Sequence, residues 1–123
     1  IDNSGISPHD IDVVNAHATS TKIGDQVEYL ALKAVFGNAM PPVSANKSLI
    51  GHAMGASSAI ESIFAMEGMM NGMVPPTLNY TPDPEMILDC VSEGARRLDQ
   101  EYVLKNSFGF GGCNSCIVFH RTA

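Results

Sequence analysis

The sequence contains no tryptophan, and it has few cysteines and few basic side chains. Its 7 Lys and Arg residues are outnumbered by 13 Asp and Glu residues, which gives a formal net charge of −6. Because phosphate contacts need clustered Lys and Arg side chains, this shortage argues against a nucleic-acid partner. No run of about 18 apolar residues is free of charged side chains, so neither a membrane span nor a membrane partner is expected.

The three cysteines, Cys90, Cys113 and Cys116, are too sparse and uneven in number for a disulfide framework. Reduced thiols are typical of the cytoplasm, so we expect a cytoplasmic location, or an organellar stroma or matrix in a eukaryote. Cys113 and Cys116 have the spacing of a redox dithiol. Such motifs act at a helix N-terminus, however, whereas these two residues lead into an apolar strand.

The alternation of apolar runs and helical patterns predicts an α/β fold. With 45% hydrophobic and 16% charged residues, the 123-residue chain has the composition of a globular domain. Short strands are predicted at residues 11–16, 43–45, 102–106 and 115–119, the last two as a neighbouring pair. Helices alternate with the first strands, and an irregular stretch precedes the last two. This order predicts a mixed β-sheet packed between helices.

Two helices are predicted from apolar spacing and from the glycines that follow them. The first is expected to be capped by Asp25, with Glu28 completing a capping box, and to end at Gly37. Its predicted apolar positions are Val27, Leu30, Ala31, Ala34 and Val35. The second spans about residues 53–71 and ends before Gly72. Because it is apolar almost all round, we expect it to be buried.

Two histidines occupy similar places in the predicted fold. His17 follows the first strand, and His52 follows the second and opens the second predicted helix. A neutral imidazole can donate a hydrogen bond to a developing oxyanion, although a lone histidine is more often structural. No Cys or carboxylate stands at ligand spacing beside either histidine, so no metal site is predicted. Glu61 lies in an apolar helix and needs a partner, for which Lys47 is the candidate.

The segment 106–112 contains three glycines and two phenylalanines in five consecutive positions. Glycine permits positive φ and close approach of the backbone to a ligand, so this loop is expected to offer N–H groups. It is not a phosphate-binding loop, because no Gly-Lys-Ser/Thr follows. It also leads into a strand rather than a helix, unlike a dinucleotide-binding loop.

Together, residues 15–21, 47–56 and 106–112 resemble the C-terminal part of a β-ketoacyl-acyl-carrier-protein synthase, and residues 75–79 also fit that family. The resemblance implies a thiolase-like fold, in which two similar α/β halves form a five-layered sandwich. Residues 1–123 would be most of the second half. The catalytic cysteine of the family belongs to the first half, and Cys90, Cys113 and Cys116 do not match its motif. We therefore expect this chain to be inactive alone.

The resemblance also implies roles for individual residues. His17 and His52 correspond to the catalytic histidines, Lys47 to the lysine that orients the second histidine, and the backbone N–H of Phe110 to an oxyanion donor. The expected substrate-binding residues are Thr19, Thr21, Phe108, Gly109, Phe110 and Gly111. Structural roles fall to Asn15, Glu61 and Asn114. The chain departs from the family pattern at Ala18, where glycine is common, at Cys113, where threonine is common, and at Lys105, where a small residue is common.

The implied reaction is acyl transfer to cysteine, decarboxylation of malonyl-acyl carrier protein (malonyl-ACP) and Claisen condensation. The implied partners are an acyl carrier protein and, in the full-length enzyme, a second copy of the same subunit. No cofactor is expected apart from a structural monovalent cation near Glu61, against which Lys105 argues. Two alternatives remain, namely a non-catalytic partner subunit that sets chain length and a stand-alone binding domain.

Overall fold

The computed structural model describes residues 1–122 of the chain. Its elements alternate much as the sequence predicts, with three helices and six strands connected by four short 3-10 turns. The helices are α1 (Lys22–Phe36), α2 (Lys47–Ile50) and α3 (Ser57–Asn71). The strands are β1 (Val13–Asn15), β2 (Val43–Ser44), β3 (Met73–Val74), β4 (Arg96–Arg97), β5 (Tyr102–Phe108) and β6 (Asn114–His120).

The main sheet is mixed and has the strand order β2-β1-β5-β6. Strand β1 runs parallel to both β2 and β5, whereas β5 and β6 form an antiparallel hairpin. A parallel bridge between Val43 and Cys90 extends the edge beyond β2. The predicted pairing of the last two strands is confirmed, and each is longer than predicted. The two-stranded ribbon of β3 and β4 was not predicted.

Helices cover both faces of the sheet, which confirms the predicted α/β architecture. Successive strand residues point to opposite faces. Val14 and Leu104 therefore join a buried cluster with Leu32 and Phe36 of α1. On the other face, Val13 and Val103 pack in a second cluster that includes Ala65 and Met69 of α3.

The predicted cap of α1 is wrong. Thr21 is the N-cap, and its Oγ1 accepts a hydrogen bond of 3.2 Å from the amide of Gly24. The helix therefore begins three residues before Asp25, which lies in the first turn and accepts a hydrogen bond from the amide of Ser20. A threonine hydroxyl placed at the last non-helical residue satisfies a free amide of the first turn, so Asp25 is not needed there. The predicted end at Gly37 is confirmed.

The predicted apolar face of α1 is also wrong, because the helix turns another face toward the sheet. Val27, Leu30, Ala31, Ala34 and Val35 are all exposed. The buried residues are Glu28, Leu32 and Phe36, which recur every four positions. The sheet therefore covers a face that carries a charge, and the more regular apolar stripe remains in contact with solvent.

Helix α3 begins at Ser57, four residues later than predicted, after a 3-10 turn at Met54–Ala56. His52 therefore precedes a 3-10 turn and does not open the helix. The predicted end before Gly72 is confirmed. The helix is not buried all round, since Ile63, Met66 and Met70 are exposed. Among residues 1–122, no helix has both the length and the apolar character that crossing a membrane requires.

Candidate active site

The candidate site lies at the carboxyl ends of β1 and β2. These strands are parallel and adjacent, with Asn15 in register with Ser44, so the segments that follow them leave from one edge of the sheet. Asn15 and Asn46 are both buried, and the side-chain amide of Asn15 donates to the side-chain oxygen of Asn46. This contact ties the segment that carries His17 to the segment that carries Lys47.

The imidazole rings of His17 and His52 come together, as the sequence predicted. Their centroids are 5.9 Å apart and the rings are perpendicular. The ring of Phe108, from the end of β5, contacts His17 edge to face, with centroids 5.6 Å apart. His17 is half-buried and His52 is exposed. The pair therefore has an open side from which a substrate could approach.

The proton of neutral His17 lies on Nε2. The ammonium nitrogen of Lys47 is 3.2 Å from Nδ1 of His17, and the same ammonium donates to the backbone carbonyl of His17. Because an ammonium group only donates, Nδ1 must accept. Burial lowers the pKa of His17, and the neighbouring positive charge of Lys47 lowers it further. The neutral form with an Nε2–H donor is therefore favoured.

His52 reaches the same tautomer through different partners. The backbone amide of Met54 donates to Nδ1 of His52 over 3.2 Å, and the hydroxyl of Ser57 lies 2.9 Å from the same nitrogen. A backbone N–H cannot accept, so neutral His52 also carries its proton on Nε2. The two adjacent rings therefore offer one Nε2–H donor each. Paired donors of this kind can stabilise negative charge that develops on one oxygen.

Behind His17 lies a fully buried carboxylate that contacts two lysines. Glu61 is 0% exposed, and its Oε1 accepts a hydrogen bond of 2.6 Å from the ammonium of Lys47. The predicted pairing of Glu61 with Lys47 is thus present. The ammonium of Lys105 makes an ion-pair contact of 2.7 Å with the other carboxylate oxygen, Oε2, and donates its hydrogen bond to the carbonyl of Asn106.

The resemblance implied that Lys47 orients the second histidine, His52, but its ammonium instead contacts Nδ1 and the backbone carbonyl of His17. Nδ1 of His52 is contacted by Met54 and Ser57. Lys47, which orients His17, is itself held in place by a buried charge.

The second buried carboxylate, Glu28, was predicted as a capping-box partner in α1, and that role is wrong. Its Oε1 accepts from the amide of His17 and its Oε2 from the amide of Ala18, at 2.9 and 2.8 Å. The side-chain amide of Asn106 also donates to Oε1, over 3.1 Å. Glu28 thereby connects the segment after β1 to strand β5. The sequence did carry one signal for this burial, because Glu28 lies one helical turn before the apolar residue Leu32 and therefore on the same face of α1.

The predicted substrate-binding threonines lie next to each other. The hydroxyl oxygens of Thr19 and Thr21 are 3.2 Å apart, and that of Thr21 also caps α1. Ser20 and Thr21 line an open cavity of about 310 Å³ together with residues of the 83–86 segment, and neither His17 nor His52 lines it. The cavity is thus separate from the imidazole pair.

The glycine-rich segment forms the connection of the β5–β6 hairpin. The amide of Gly109 donates to the carbonyl of Cys113 over 2.9 Å, and Gly111 has a positive φ of 77°. Asn114 opens β6 opposite Phe108. The side chain of Phe110 is 98% exposed. Of the two phenylalanines, it is therefore Phe108 whose ring contacts the histidine pair.

The three thiols are free. Burial raises the pKa of Cys90 and of Cys116, which disfavours the reactive thiolate. Cys116 donates to the side-chain oxygen of Asn106 over 3.2 Å. Within residues 1–122, no three His, Cys, Asp or Glu side chains converge to hold a metal ion.

Comparison with known proteins places the chain in a family. Residues 1–81 match the C-terminal domain of β-ketoacyl synthases, and the chain therefore belongs to the β-ketoacyl synthase family. It is 44% identical to 3-oxoacyl-[acyl-carrier-protein] synthase 2 of Staphylococcus aureus over 124 residues. That match covers 98% of this chain but only 30% of the relative.

Solved structures have the same fold. The chain is similar to the ishigamide ketosynthase/chain length factor, with a TM-score of 0.96 and 36% identity, covering 99% of this chain and 30% of that one. It is also similar to a type II polyketide ketosynthase solved with its acyl-carrier protein and bound to a hexaketide. There the TM-score is 0.95 and the identity 35%, over 99% of this chain and 31% of that one. The chain thus spans about a third of the length of these relatives.

Proposed function

We propose that this chain supplies part of the active site of a 3-oxoacyl-acyl-carrier-protein synthase. The reaction is the decarboxylative Claisen condensation of an acyl-enzyme thioester with malonyl-ACP. The observation that carries the proposal is the perpendicular pair of His17 and His52, both of which carry their proton on Nε2. Residues 1–123 would act as the C-terminal half-domain, and the nucleophilic cysteine would come from the preceding half.

In this mechanism the histidines act when malonyl-ACP loses carbon dioxide. The bond from the carboxylate to Cα breaks, and its electron pair forms an enolate whose negative charge lies on the thioester oxygen. Nε2–H of His17 and Nε2–H of His52 donate to that oxygen, and each donor contributes about 3–4 kcal/mol to the transition state. The enolate carbon then attacks the acyl thioester, and the cysteine thiolate leaves to give 3-oxoacyl-ACP.

The remaining predicted residues have supporting roles in the proposal. Thr19 and Thr21 would bind the pantetheine arm, and Phe108, Gly109, Phe110 and Gly111 would form the wall of the acyl pocket. The backbone N–H of Phe110 would donate to the acyl carbonyl. The structure of a similar ketosynthase with its acyl-carrier protein supports an acyl carrier protein as partner. We further propose a homodimeric enzyme in the cytoplasm.

A second candidate function is that of a non-catalytic chain-length partner subunit. It is favoured by the similarity to a ketosynthase/chain length factor and to a ketosynthase in complex with its chain length factor from Xenorhabdus doucetiae. The presence of His17, His52 and Lys47 supports the catalytic role instead. The discriminating observation is whether the complete protein is acylated at a cysteine by acyl-ACP.

The test uses the complete protein with His17→Ala and His52→Ala, and with His9→Ala as a control on an exposed histidine. Release of carbon dioxide and formation of 3-oxoacyl-ACP are both measured. We expect each site variant to lose at least about 100-fold in rate, or roughly 2.7 kcal/mol, and His9→Ala to keep its rate. Losses below about tenfold for both site variants would refute the assignment. The isolated 123-residue chain is expected to form no product.

A further inference from the structure

Four charged side chains are buried around His17, and their formal charges cancel. Glu28 and Glu61 carry negative charges, and Lys47 and Lys105 carry positive ones. Bringing ions out of water is costly unless each is paired. Removing any one of the four would leave a net charge in the interior. Each member is therefore needed for the balance, and the mechanism above gives no role to Lys105.

Both the backbone and the ammonium group of Lys105 are held in place. Its backbone belongs to β5 and is in register with Asn15 of β1, two residues before His17. Its side chain is 0% exposed, with the ammonium 2.7 Å from Oε2 of Glu61. Burial lowers the pKa of Lys105, whereas the contact with Glu61 acts in the opposite direction. The carboxylate thus offsets the cost of a charged ammonium at this depth.

The two ammonium groups divide the carboxylate of Glu61 between them. Lys47 contacts Oε1 at 2.6 Å, and Lys105 contacts Oε2 at 2.7 Å. Within residues 1–122, Oε2 of Glu61 accepts no hydrogen bond, so the contact with Lys105 is one between charges. Lys47 donates to Oε1, and from there it also reaches Nδ1 of His17 at 3.2 Å. If Lys47 were the single ammonium partner of Glu61, the carboxylate would attract it toward both oxygens and away from the imidazole of His17.

The same contacts bear on the expected structural cation. A monovalent cation beside Glu61 would need a carboxylate oxygen without a positive neighbour. Both oxygens already have one, and a third positive charge at that distance would be repelled by both lysines. The residues present therefore do not fit a metal cation at Glu61.

We propose that Lys105 is a positioning residue. Its ammonium takes the place of a bound cation beside Glu61, and Glu61 in turn holds Lys47 against His17. Only the effect of Lys105 on catalysis rests on the proposed function. The replacement of a bound monovalent cation by Lys105 does not depend on it. It follows that the protein needs no such cation, whereas a variant with a short neutral side chain at position 105 acquires that need.

The first test measures thermal unfolding of the complete protein in K⁺ and in tetramethylammonium, an ion too bulky to enter, at constant ionic strength. The variants are Lys105→Ser and, as a matched control, Lys33→Ser on the exposed face of α1. We expect the unmodified protein and the control to unfold at the same temperature in both salts. Lys105→Ser should unfold at a temperature about 5 °C or more higher in K⁺ than in tetramethylammonium. A K⁺ dependence of the unmodified protein, or no gain for Lys105→Ser, would overturn the proposal.

The second test asks whether the effect reaches His17. Lys105→Met keeps the length of the side chain and removes its charge, so it is the milder variant if Lys105→Ser folds poorly. We expect the ¹⁵N signals of the His17 ring to change in Lys105→Met from those of a single Nε2–H tautomer to those of a mixture. Unchanged signals would show that Lys105 does not position Lys47 against His17, and they would overturn the proposal. Neither readout needs condensation, so a failure of the proposed function would be seen separately, as an unmodified protein that forms no product.

Discussion

The ammonium nitrogen of Lys47 lies 3.2 Å from Nδ1 of His17. This contact decides which ring nitrogen of His17 carries the proton, and Lys47 is in turn held by a carboxylate that solvent does not reach. A hydrogen bond of this kind does nothing to the substrate directly. It determines whether the opposite nitrogen can donate.

Replacement of Lys47 by Met should therefore impair catalysis through His17. Without the ammonium, Nδ1 loses its donor and the two tautomers of His17 become closer in free energy. We expect the condensation rate of the complete protein to fall by about 100-fold, or roughly 2.7 kcal/mol, measured with malonyl-ACP and an acyl-primed enzyme. Lys33→Met is the control for loss of one positive charge. A Lys47→Met enzyme with at least a third of the normal rate would contradict this role.

The lowered pKa of His17 predicts a direction for the effect of acid. In the folded protein His17 binds a proton less readily than in the unfolded chain, where its pKa is about 6.5. The contribution to stability is therefore complete above that pH and is lost as the pH falls through the lower folded value. An NMR titration of His17 in folded and in urea-unfolded protein checks this. A folded pKa at or above the unfolded one would show that Lys47 and burial do not control the ring.

Glu28 is predicted to matter as much for stability as for the site. The substitution Glu28→Gln leaves one acceptor oxygen for the half-buried amides of His17 and Ala18 and for the side chain of Asn106, so at least one N–H loses its partner. We expect the free energy of unfolding to fall by about 1–3 kcal/mol, measured by urea denaturation. Glu67→Gln, on the exposed side of α3, should change it by less than about 0.5 kcal/mol. Equal effects of the two substitutions would count against the bridging role of Glu28.

Ala18 is predicted to be a strained residue. Its φ is +36°, in a region that favours glycine, and its amide is held there by Glu28. Ala18→Gly should raise the free energy of unfolding by about 1 kcal/mol. The same substitution at the exposed position Ala34, within α1, should lower it by about 1 kcal/mol. A loss of stability in Ala18→Gly would mean that the backbone at this position carries no strain.

The sequence predicted the parts of the fold that have strong local signals. Glycines placed the ends of α1 and α3 correctly, and short segments rich in apolar residues located β1 and the β5–β6 pair. The ribbon of β3 and β4 was missed, because Arg96–Arg97 carries no apolar pattern and Met73–Val74 directly follows the end of α3. The orientation of α1 was missed because the helix has two regular faces, and only contact with the sheet decides which one is buried.

In the candidate site, too, the sequence identified some residues and not others. His17, His52 and Lys47 could be singled out because each stands at the end of a predicted strand or in a motif. The role of Glu28 could not, since two of its three partners are backbone amides, which the sequence does not distinguish from any others. The contact of Lys105 with Glu61 joins residues of β5 and α3 and depends on the pairing of β5 with β1. Contacts of this kind become visible only when distant segments are brought together.

The exposed ring of Phe110 is free to move independently of the strands that carry it. Strands β5 and β6 stay paired up to Phe108 and Asn114, so the turn that carries Phe110 is anchored on both sides. Rotation of that ring breaks no strand hydrogen bond and disturbs no core packing. Rotation of the Phe110 ring therefore requires no partial unfolding of the sheet, and it can proceed on the picosecond-to-nanosecond scale of exposed side chains.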